Sequence, residues 1–277
     1  MRFFLYTTII FYLLGFFVVI IHHLTKNNLI EKLSRASLVL GLASHTILLI
    51  IRTYETGHAP MANMYETLLF YSWSTVLVSV IVIFRYNERL TELITIPVAM
   101  LAMTFANANE KPGAPLTLIL NTRWFETHVI SSFAGYALFT LAFSGAVLYL
   151  VYPSPALTPT LSQRARERGA SGEGEFLEKK NFQDIANRSI LWGFFFFSVS
   201  MFSGAVWAYL AWGMYWLWEP KVIWSFIVWF YYAGAMHAYY VREWRGKGLA
   251  IATVIGFFVV LFTYLGVSLL MRSSHSF

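Results

Sequence analysis

Residues 189–210 read SILWGFFFFSVSMFSGAVWAYL and contain no charged side chain. An α-helix rises 1.5 Å per residue, so a run of this length spans the roughly 30 Å hydrocarbon core of a bilayer. Similar apolar runs recur along the chain, whose 277 residues are 58% hydrophobic. Only 12% of the residues are charged, against about 25% in soluble proteins. The sequence therefore predicts an all-α polytopic integral membrane protein.

The apolar runs predict about eight transmembrane helices, and the charges between them predict an orientation. The predicted spans are residues 3–21, 37–51, 68–84, 93–105, 129–151, 189–210, 223–241 and 249–271. Fourteen of the 20 Lys and Arg residues fall at one end of these spans and six at the other. Because basic loops stay in the cytoplasm, we expect both termini on the outer side. We expect one transmembrane domain over residues 1–277, with its first run retained as a helix.

Composition excludes several other classes of protein. The chain has no cysteine, so it has no disulfide and no thiol chemistry of its own. Its net charge of +6 reflects the cytoplasmic loops of a membrane protein and does not indicate a nucleic-acid partner.

Residues 153–180 are rich in Pro, Ser, Gly, Arg and Glu, which predicts a mobile cytoplasmic loop.

The opening run is followed by a tryptophan-rich stretch, AWGMYWLWEPKVIW, at residues 211–224. Six of the ten tryptophans lie within residues 207–229, in or near one predicted outer loop. An aromatic belt at the membrane surface is one explanation, but a belt distributes its rings over many helix ends. The clustering favours a flat aromatic platform for a flat apolar ligand. The predicted platform residues are Trp212, Trp216, Trp218 and Trp224.

Two histidines lie on the same side as this platform. A large planar ligand at a membrane surface suggests haem, whose iron binds axial nitrogen ligands. His128 precedes the fifth span and His275 follows the eighth, so both lie at outer helix ends. Either one alone is explained as an interfacial histidine, but the pair beside the tryptophans predicts a bis-histidine haem site. The candidate partners for the haem carboxylates are Lys221, Arg123 and Arg272.

Two further histidines, His45 and His237, lie inside predicted spans at similar depth. An ionisable residue within a bilayer usually marks a pathway or a ligand site. The alternative is that each histidine forms a hydrogen bond with a neighbouring helix. We hypothesise that the two clamp a second haem position within the membrane. Two stacked positions have two interpretations: electrons pass between two resident haems, or one haem moves outward.

Several separated motifs resemble one family of haem-handling membrane proteins. WGMYWLWEPKVIW at residues 212–224 is similar to the tryptophan-rich WWD motif, usually written WGxxWxWDxKExxW. GHAPMANMYETLLFYSW at residues 57–73 resembles an outer-loop segment of the CcsA/ResC type, the membrane component of system II cytochrome c biogenesis. The histidine-bearing segments WFETHVISSFAGYALF, AGAMHAYY and LGVSLLMRSSHSF also resemble that family.

The resemblance implies a function and a set of partners. The protein would work with a CcsB/ResB-type partner in the bacterial inner membrane, surrounded by membrane lipid. Together they would carry haem b outward and act as a cytochrome c synthase, joining haem to the CxxCH cysteines of apocytochrome c on the periplasmic face. A thioredoxin-like protein would keep the substrate thiols reduced. By segment match, His45 and His237 correspond to the transmembrane ligands, and His128 and His275 to the outer pair.

This sequence departs from the family motif at two positions, and it leaves two other functions open. Glu219 replaces the motif's Asp and keeps its charge, whereas Val222 replaces the motif's Glu and loses one. One alternative function is a HemX-like haem-binding regulator of tetrapyrrole synthesis, against which the intact tryptophan loop and both outer histidines argue. The other is a di-haem b-type electron carrier, which four histidines on separate helices or loops permit.

Overall fold

A computed structural model describes residues 1–152, 171–240, 244 and 246–271, with the backbone alone described for residues 171–180 and 240. The described residues form helices and contain no strand. In chain order the helices are α1 (Arg2–Thr25), α2 (Asn28–Thr56), α3 (Met64–Tyr86), α4 (Glu92–Ala108), α5 (Arg123–Val151), α6 (Ser171–Trp212), α7 (Pro220–Tyr240) and α8 (Lys247–Leu270). Residues Phe262–Gly266 of α8 form a π-helical segment.

The prediction of an all-α membrane protein is confirmed, and each predicted span falls on one of these helices. Among the described residues, six helices are long and apolar enough to cross a membrane. The helix α4 is apolar but only 17 residues long, and α7 has 21 residues. The helix α6 begins at Ser171, inside the segment predicted as a loop, whereas residues 153–170 lie outside the described part of the chain.

Polar side chains fix several helix starts beyond the apolar runs. The side chain of Asn27 accepts a hydrogen bond from the backbone N–H of Leu29 at the start of α2. Thr122 does the same for Phe125 at the start of α5. These caps satisfy backbone donors that have no partner within a helix. The helices therefore begin several residues before the apolar runs that predicted them.

The fold is organised around α5, which packs against α3, α4, α6 and α8. Its contact with α6 is the most extensive in the described chain, and glycines of both helices lie in it: Gly135, Gly145, Gly193 and Gly204. Small residues let two transmembrane helices approach closely. Phe139 of α5 also stacks on Tyr232 of α7, with ring centroids 3.7 Å apart. The close approach of α5 and α6 positions the candidate site.

The tryptophan-rich stretch lies between a helix stop and a helix start. Gly213 directly follows α6 and adopts a positive φ of 73°, which ends many helices and suits glycine. Pro220 is the first residue of α7, where its missing N–H is not needed. The residues between them form a short connection without regular structure. We call the end of the bundle that carries this connection the tryptophan end.

Candidate functional site

Two cavities lie at the tryptophan end of α5. The first has a volume of about 90 Å³ and is lined by α5, α6, the tryptophan-rich connection and α7. The second has a volume of about 220 Å³ and is lined by α3, α5, α6, α7, α8 and the loops that follow α2 and α4. Both volumes are below the roughly 300–1,000 Å³ of small-molecule sites, so a larger ligand would extend beyond their walls. The two cavities adjoin, because they share five lining residues: His128, Ser132, Tyr136, Trp207 and Lys221.

His128 projects from the first turns of α5 against the backbone of α6. Its Nδ1 lies 2.8 Å from the carbonyl oxygen of Ser200 and 3.1 Å from the Ser200 hydroxyl. A carbonyl oxygen can only accept a hydrogen bond, so in the neutral ring Nδ1 carries the proton. The lone pair is then on Nε2, which is the arrangement typical of a metal-ligating histidine. Ser132 supports the contact through a hydrogen bond to the Ser200 hydroxyl.

Trp207 forms the wall beside His128. The two rings lie within 16° of parallel, with centroids 6.3 Å apart. The indole N–H of Trp207 donates to the carbonyl oxygen of Ile119 at 2.8 Å, which ties the ring to the loop after α4. The sequence placed Trp207 in the tryptophan cluster but not among the platform residues. Its spacing from Ser200 and Gly204, at seven and three residues on one helix face, is the signal that relates them.

The predicted platform divides into two pairs. Trp212 and Trp216 line the first cavity, and Trp212 packs edge-on against Trp207 with centroids 4.9 Å apart. Trp218 is 73% exposed and stacks on Phe226 instead. Trp224 packs against Phe262 in the π-helical segment of α8. Only the first pair contributes to the cavity walls.

Lys221 lies where the sequence predicted a partner for carboxylates. It belongs to the first turn of α7 and lines both cavities. Its ammonium donates to the hydroxyl of Ser268 on α8 at 3.2 Å. A cation in the wall of an otherwise largely apolar cavity suits an amphipathic ligand that carries carboxylates. The departure Val222 also lines the first cavity, so the position of the lost glutamate faces the site.

The donor set fits haem as a bound substrate. An imidazole with its lone pair on Nε2 provides an axial ligand for iron. The tryptophan and tyrosine rings provide apolar surface, and the Lys221 ammonium provides a counter-charge for carboxylates. The second predicted outer ligand, His275, lies outside the described residues, as does the candidate carboxylate partner Arg272. The other candidate, Arg123, is exposed at the start of α5 and does not line either cavity.

His45 is buried in the bundle away from these cavities. It is fully buried on α2, and its Nδ1 lies 3.1 Å from the hydroxyl of Tyr12 on α1. Nε2 has no hydrogen-bond partner among the described residues. Within the described chain, α2 packs on α1 and α3 only. His45 therefore lines none of the cavities described here.

His237, in contrast, is exposed near the end of α7. It lines an open cavity of about 440 Å³ together with small residues of α7 and the aromatic rings of Tyr231 and Trp244. Among the described residues, α7 packs on α6 and α8 and does not contact α2. The two predicted transmembrane ligands therefore lie on helices that do not contact each other among the described residues, and their pairing on one haem stays a prediction.

The helix α2 begins at Asn28, nine residues before the apolar run that predicted it. The added turns carry Glu31, Lys32 and Arg35, so they extend the helix beyond the apolar run and leave the predicted depth of His45 unchanged.

Comparison with known proteins relates these residues to one family. The family described as "Cytochrome C assembly protein" matches residues 61–275, which include the lining of both cavities. The chain is 32% identical to "Cytochrome c biogenesis protein CcsA" of Prochlorococcus marinus (strain NATL1A), over 83% of this chain and 79% of that one. It is 30% identical to the protein of that name from Mesostigma viride, over 91% and 88% of the two chains.

A solved structure shares the fold. "Cytochrome c Heme Lyase CcmF" superposes with a TM-score of 0.67 and 16% identity over 99% of this chain. This chain spans 46% of the length of that protein. The family match and the identities, over most of the chain, are the stronger findings. The chain therefore belongs to the cytochrome c assembly family, as a CcsA-type cytochrome c biogenesis protein.

Proposed function

We propose that this chain is the haem-delivering and haem-ligating membrane subunit of a system II cytochrome c synthase. It moves haem b to the tryptophan end and presents it there for thioether attachment to the CxxCH cysteines of apocytochrome c. The observation that carries the proposal is the placement of His128. Its Nδ1 donates to the Ser200 carbonyl oxygen, and its ring lines two adjoining cavities together with Trp207 and Lys221.

The attachment needs positioning more than it needs proton-transfer groups. Each cysteine thiol adds across a haem vinyl group, so that a C–S bond forms and the hydrogen passes to the neighbouring carbon. Nothing leaves, and no oxidant or reductant is consumed. Holding the iron on His128 and the carboxylates near Lys221 fixes the vinyl edge relative to an incoming thiolate, and fixed geometry can supply several kcal/mol of the barrier. The histidine of CxxCH then replaces a protein histidine on iron, and the product leaves.

His275 is the second ligand in this proposal. The helix α8 ends at the tryptophan end, and its residue Ser268 contacts Lys221 in the cavity wall. Met271 is the last described residue before His275, and four residues extend at most about 14 Å. This short separation supports a His128–His275 pair at the tryptophan end.

The partners and the location of the protein belong to the same proposal. We place the tryptophan end on the periplasmic face of the bacterial inner membrane, with a CcsB/ResB-type membrane partner and a thioredoxin-like reductant for the substrate thiols. His237 faces out of the bundle, so a haem held there on its way outward would take its other ligand from outside the described residues. His45, the other predicted transmembrane ligand, is fully buried on α2 beside Tyr12 of α1, and its part in carrying haem across the membrane stays a prediction.

Haem content and cytochrome c should be measured together to test this function. The chain is purified with its native membrane partner, and covalent cytochrome c is scored in cells with and without the chain. A synthase subunit gives substoichiometric haem and loss of cytochrome c when the chain is absent. Two reversible haems per chain with normal cytochrome c would instead identify an electron carrier. Bound haem with normal cytochrome c and altered tetrapyrrole levels would identify a regulator.

Lys221 provides a prediction about how the ligand is held. We expect Lys221→Met to weaken haem affinity about 10- to 100-fold, because a hydrogen bond to a charged group contributes about 1.5–3 kcal/mol. Lys221→Arg keeps the charge and should retain part of the affinity. The measurement is a haem titration of the purified complex, with Lys247→Met at the opposite end of the bundle as the control.

A haem diester separates carboxylate pairing from general damage to the cavity. In the diester both propionates are neutral, so wild type and Lys221→Met should bind it with equal affinity. A loss for Lys221→Met that is as large with the diester as with haem would contradict a role in carboxylate pairing.

A further inference from the structure

The ring of His128 occupies space that a side chain at position 204 would need. Gly204 lies on α6, one turn after Ser200. A Cβ built on Gly204 would lie 2.5 Å from Nδ1 of His128 and 2.9 Å from its Cε1. Real Cβ atoms do not approach other heavy atoms this closely. The histidine can therefore adopt the observed position only because residue 204 has no side chain.

The same position of the ring determines which of its two nitrogens carries the proton. With Nδ1 at 2.8 Å from the Ser200 carbonyl oxygen, the proton is held on Nδ1 and the lone pair on Nε2. A hydrogen bond of this kind also raises the basicity of a metal-ligating imidazole. Any movement of the ring away from α6 lengthens this hydrogen bond and releases the fixed proton arrangement.

Gly204 differs from the other glycines of the α5–α6 contact in what it touches. A Cβ at Gly145 would meet the backbone oxygen of Phe182 at 2.8 Å, and one at Gly193 would meet the ring of Phe139. At Gly204 the three nearest atoms all belong to the His128 ring. Helix packing explains the first two glycines, whereas a Cβ at the third would first meet the proposed ligand.

We propose that Gly204 is a positioning residue that holds His128 in its haem-ligating orientation, with Trp207 as the opposing wall. This inference rests on the proposed function, since it assigns an indirect role in haem ligation. Trp207 follows Gly204 by three residues on the same helix face, and its indole N–H is fixed to the Ile119 carbonyl oxygen. The imidazole thus lies against the α6 backbone, with the nearly parallel Trp207 ring 6.3 Å from it between centroids.

An alanine at position 204 is expected to weaken haem binding without weakening the helix. Alanine has a higher helix propensity than glycine, so Gly204→Ala should not weaken α6 itself. It should instead push the His128 ring toward the cavity. We expect haem affinity to fall about 10- to 100-fold, the range typical for loss of a group that orients a metal ligand. We also expect the low-spin haem spectrum to change, while the thermal stability of the haem-free complex stays the same.

The experiment compares Gly204→Ala with Gly248→Ala in the complete complex. A Cβ at Gly248 in the first turn of α8 meets no atom within 4 Å, so this variant is the matched control and should behave as wild type. Haem titration gives the affinity, and absorption and electron paramagnetic resonance spectra give the axial ligation. The double variant His128→Ala/Gly204→Ala should bind haem no more weakly than His128→Ala alone, since Gly204 acts only through the histidine.

Each other outcome overturns the inference in a distinct way. Wild-type spectrum and affinity in Gly204→Ala, together with a loss in His128→Ala, would remove the positioning role and leave the proposed function intact. An unchanged spectrum in His128→Ala would remove the proposed function itself. Failure of Gly204→Ala to accumulate, while Gly248→Ala accumulates normally, would show that Gly204 is required for folding and is not a positioning residue.

Discussion

Replacing His128 by alanine is expected to remove the low-spin haem signal of the purified complex and to reduce covalent cytochrome c to background. The proposed axial ligand is lost, while the neighbouring Trp207 and Lys221 remain in place. Because a misplaced reacting group can cost on the order of 100-fold in rate, we expect cytochrome c to fall by at least that factor. The measurements are an absorption spectrum of the complex and a haem stain of membrane proteins.

Added imidazole makes this prediction specific to ligation. The substitution leaves a space beside the Ser200 carbonyl oxygen, in which free imidazole can replace the missing ring. We expect millimolar imidazole to restore the low-spin spectrum of His128→Ala. His22→Ala is the control, because His22 lies at the end of α1 remote from the cavities and should leave both measurements unchanged. A normal spectrum and normal cytochrome c in His128→Ala would refute the outer haem site.

The helices were predictable because eight strongly apolar runs leave few alternatives for a chain of this length. The ends of the helices were less predictable than the helices themselves, and α2 shows the reason. Glu31 and Arg35 lower the apolar character of its first turns, yet they form an ion pair one turn apart that supports a helix. Asn27 then caps the start. Hydropathy records the charges but not their pairing, so the predicted span began nine residues late.

The candidate site was predictable where a residue carries its own chemical signal. His128, Trp212, Trp216 and Lys221 were predicted, and the structure brings them to adjoining cavities. Gly204 was not predicted, since its role depends on the atoms of another helix. The structure places His45 and His237 on helices that do not contact each other among the described residues, since a depth along each span does not determine which helices are neighbours.

Arg52 and Glu66 form a buried ion pair at the tryptophan end that the sequence did not predict. Loss of this pair has the largest expected effect on stability. Arg52 at the end of α2 was treated only as a loop charge. In the structure its Nη2 lies 2.9 Å from the Glu66 carboxylate, with 3% and 0% of the two side chains exposed. Arg52 also donates to the Lys111 carbonyl oxygen, and Glu66 accepts from the backbone N–H of Ala62. The pair therefore ties α2 and α3 to both loops that cover the second cavity.

Removing one partner of this buried ion pair is expected to destabilise the protein by about 3–5 kcal/mol, because the other charge is left buried without compensation. For a chain of this size that corresponds to a fall in Tm on the order of 10 °C. Arg52→Leu and Glu66→Leu should each show it in thermal unfolding of the detergent-solubilised protein. The double variant should be more stable than either single variant, since no unpaired charge remains.

The exposed ion pair between Arg2 and Glu110 is the matched control for this prediction. Its atoms are 4.0 Å apart, and the Arg2 side chain is 78% exposed, so Arg2→Ala should change the free energy of unfolding by less than about 1 kcal/mol. A Tm of Arg52→Leu close to that of Arg2→Ala would contradict a structural role for the buried pair. If the prediction holds, Arg52→Leu should also lose haem affinity, because Leu120 of the loop that Arg52 anchors forms part of the cavity wall.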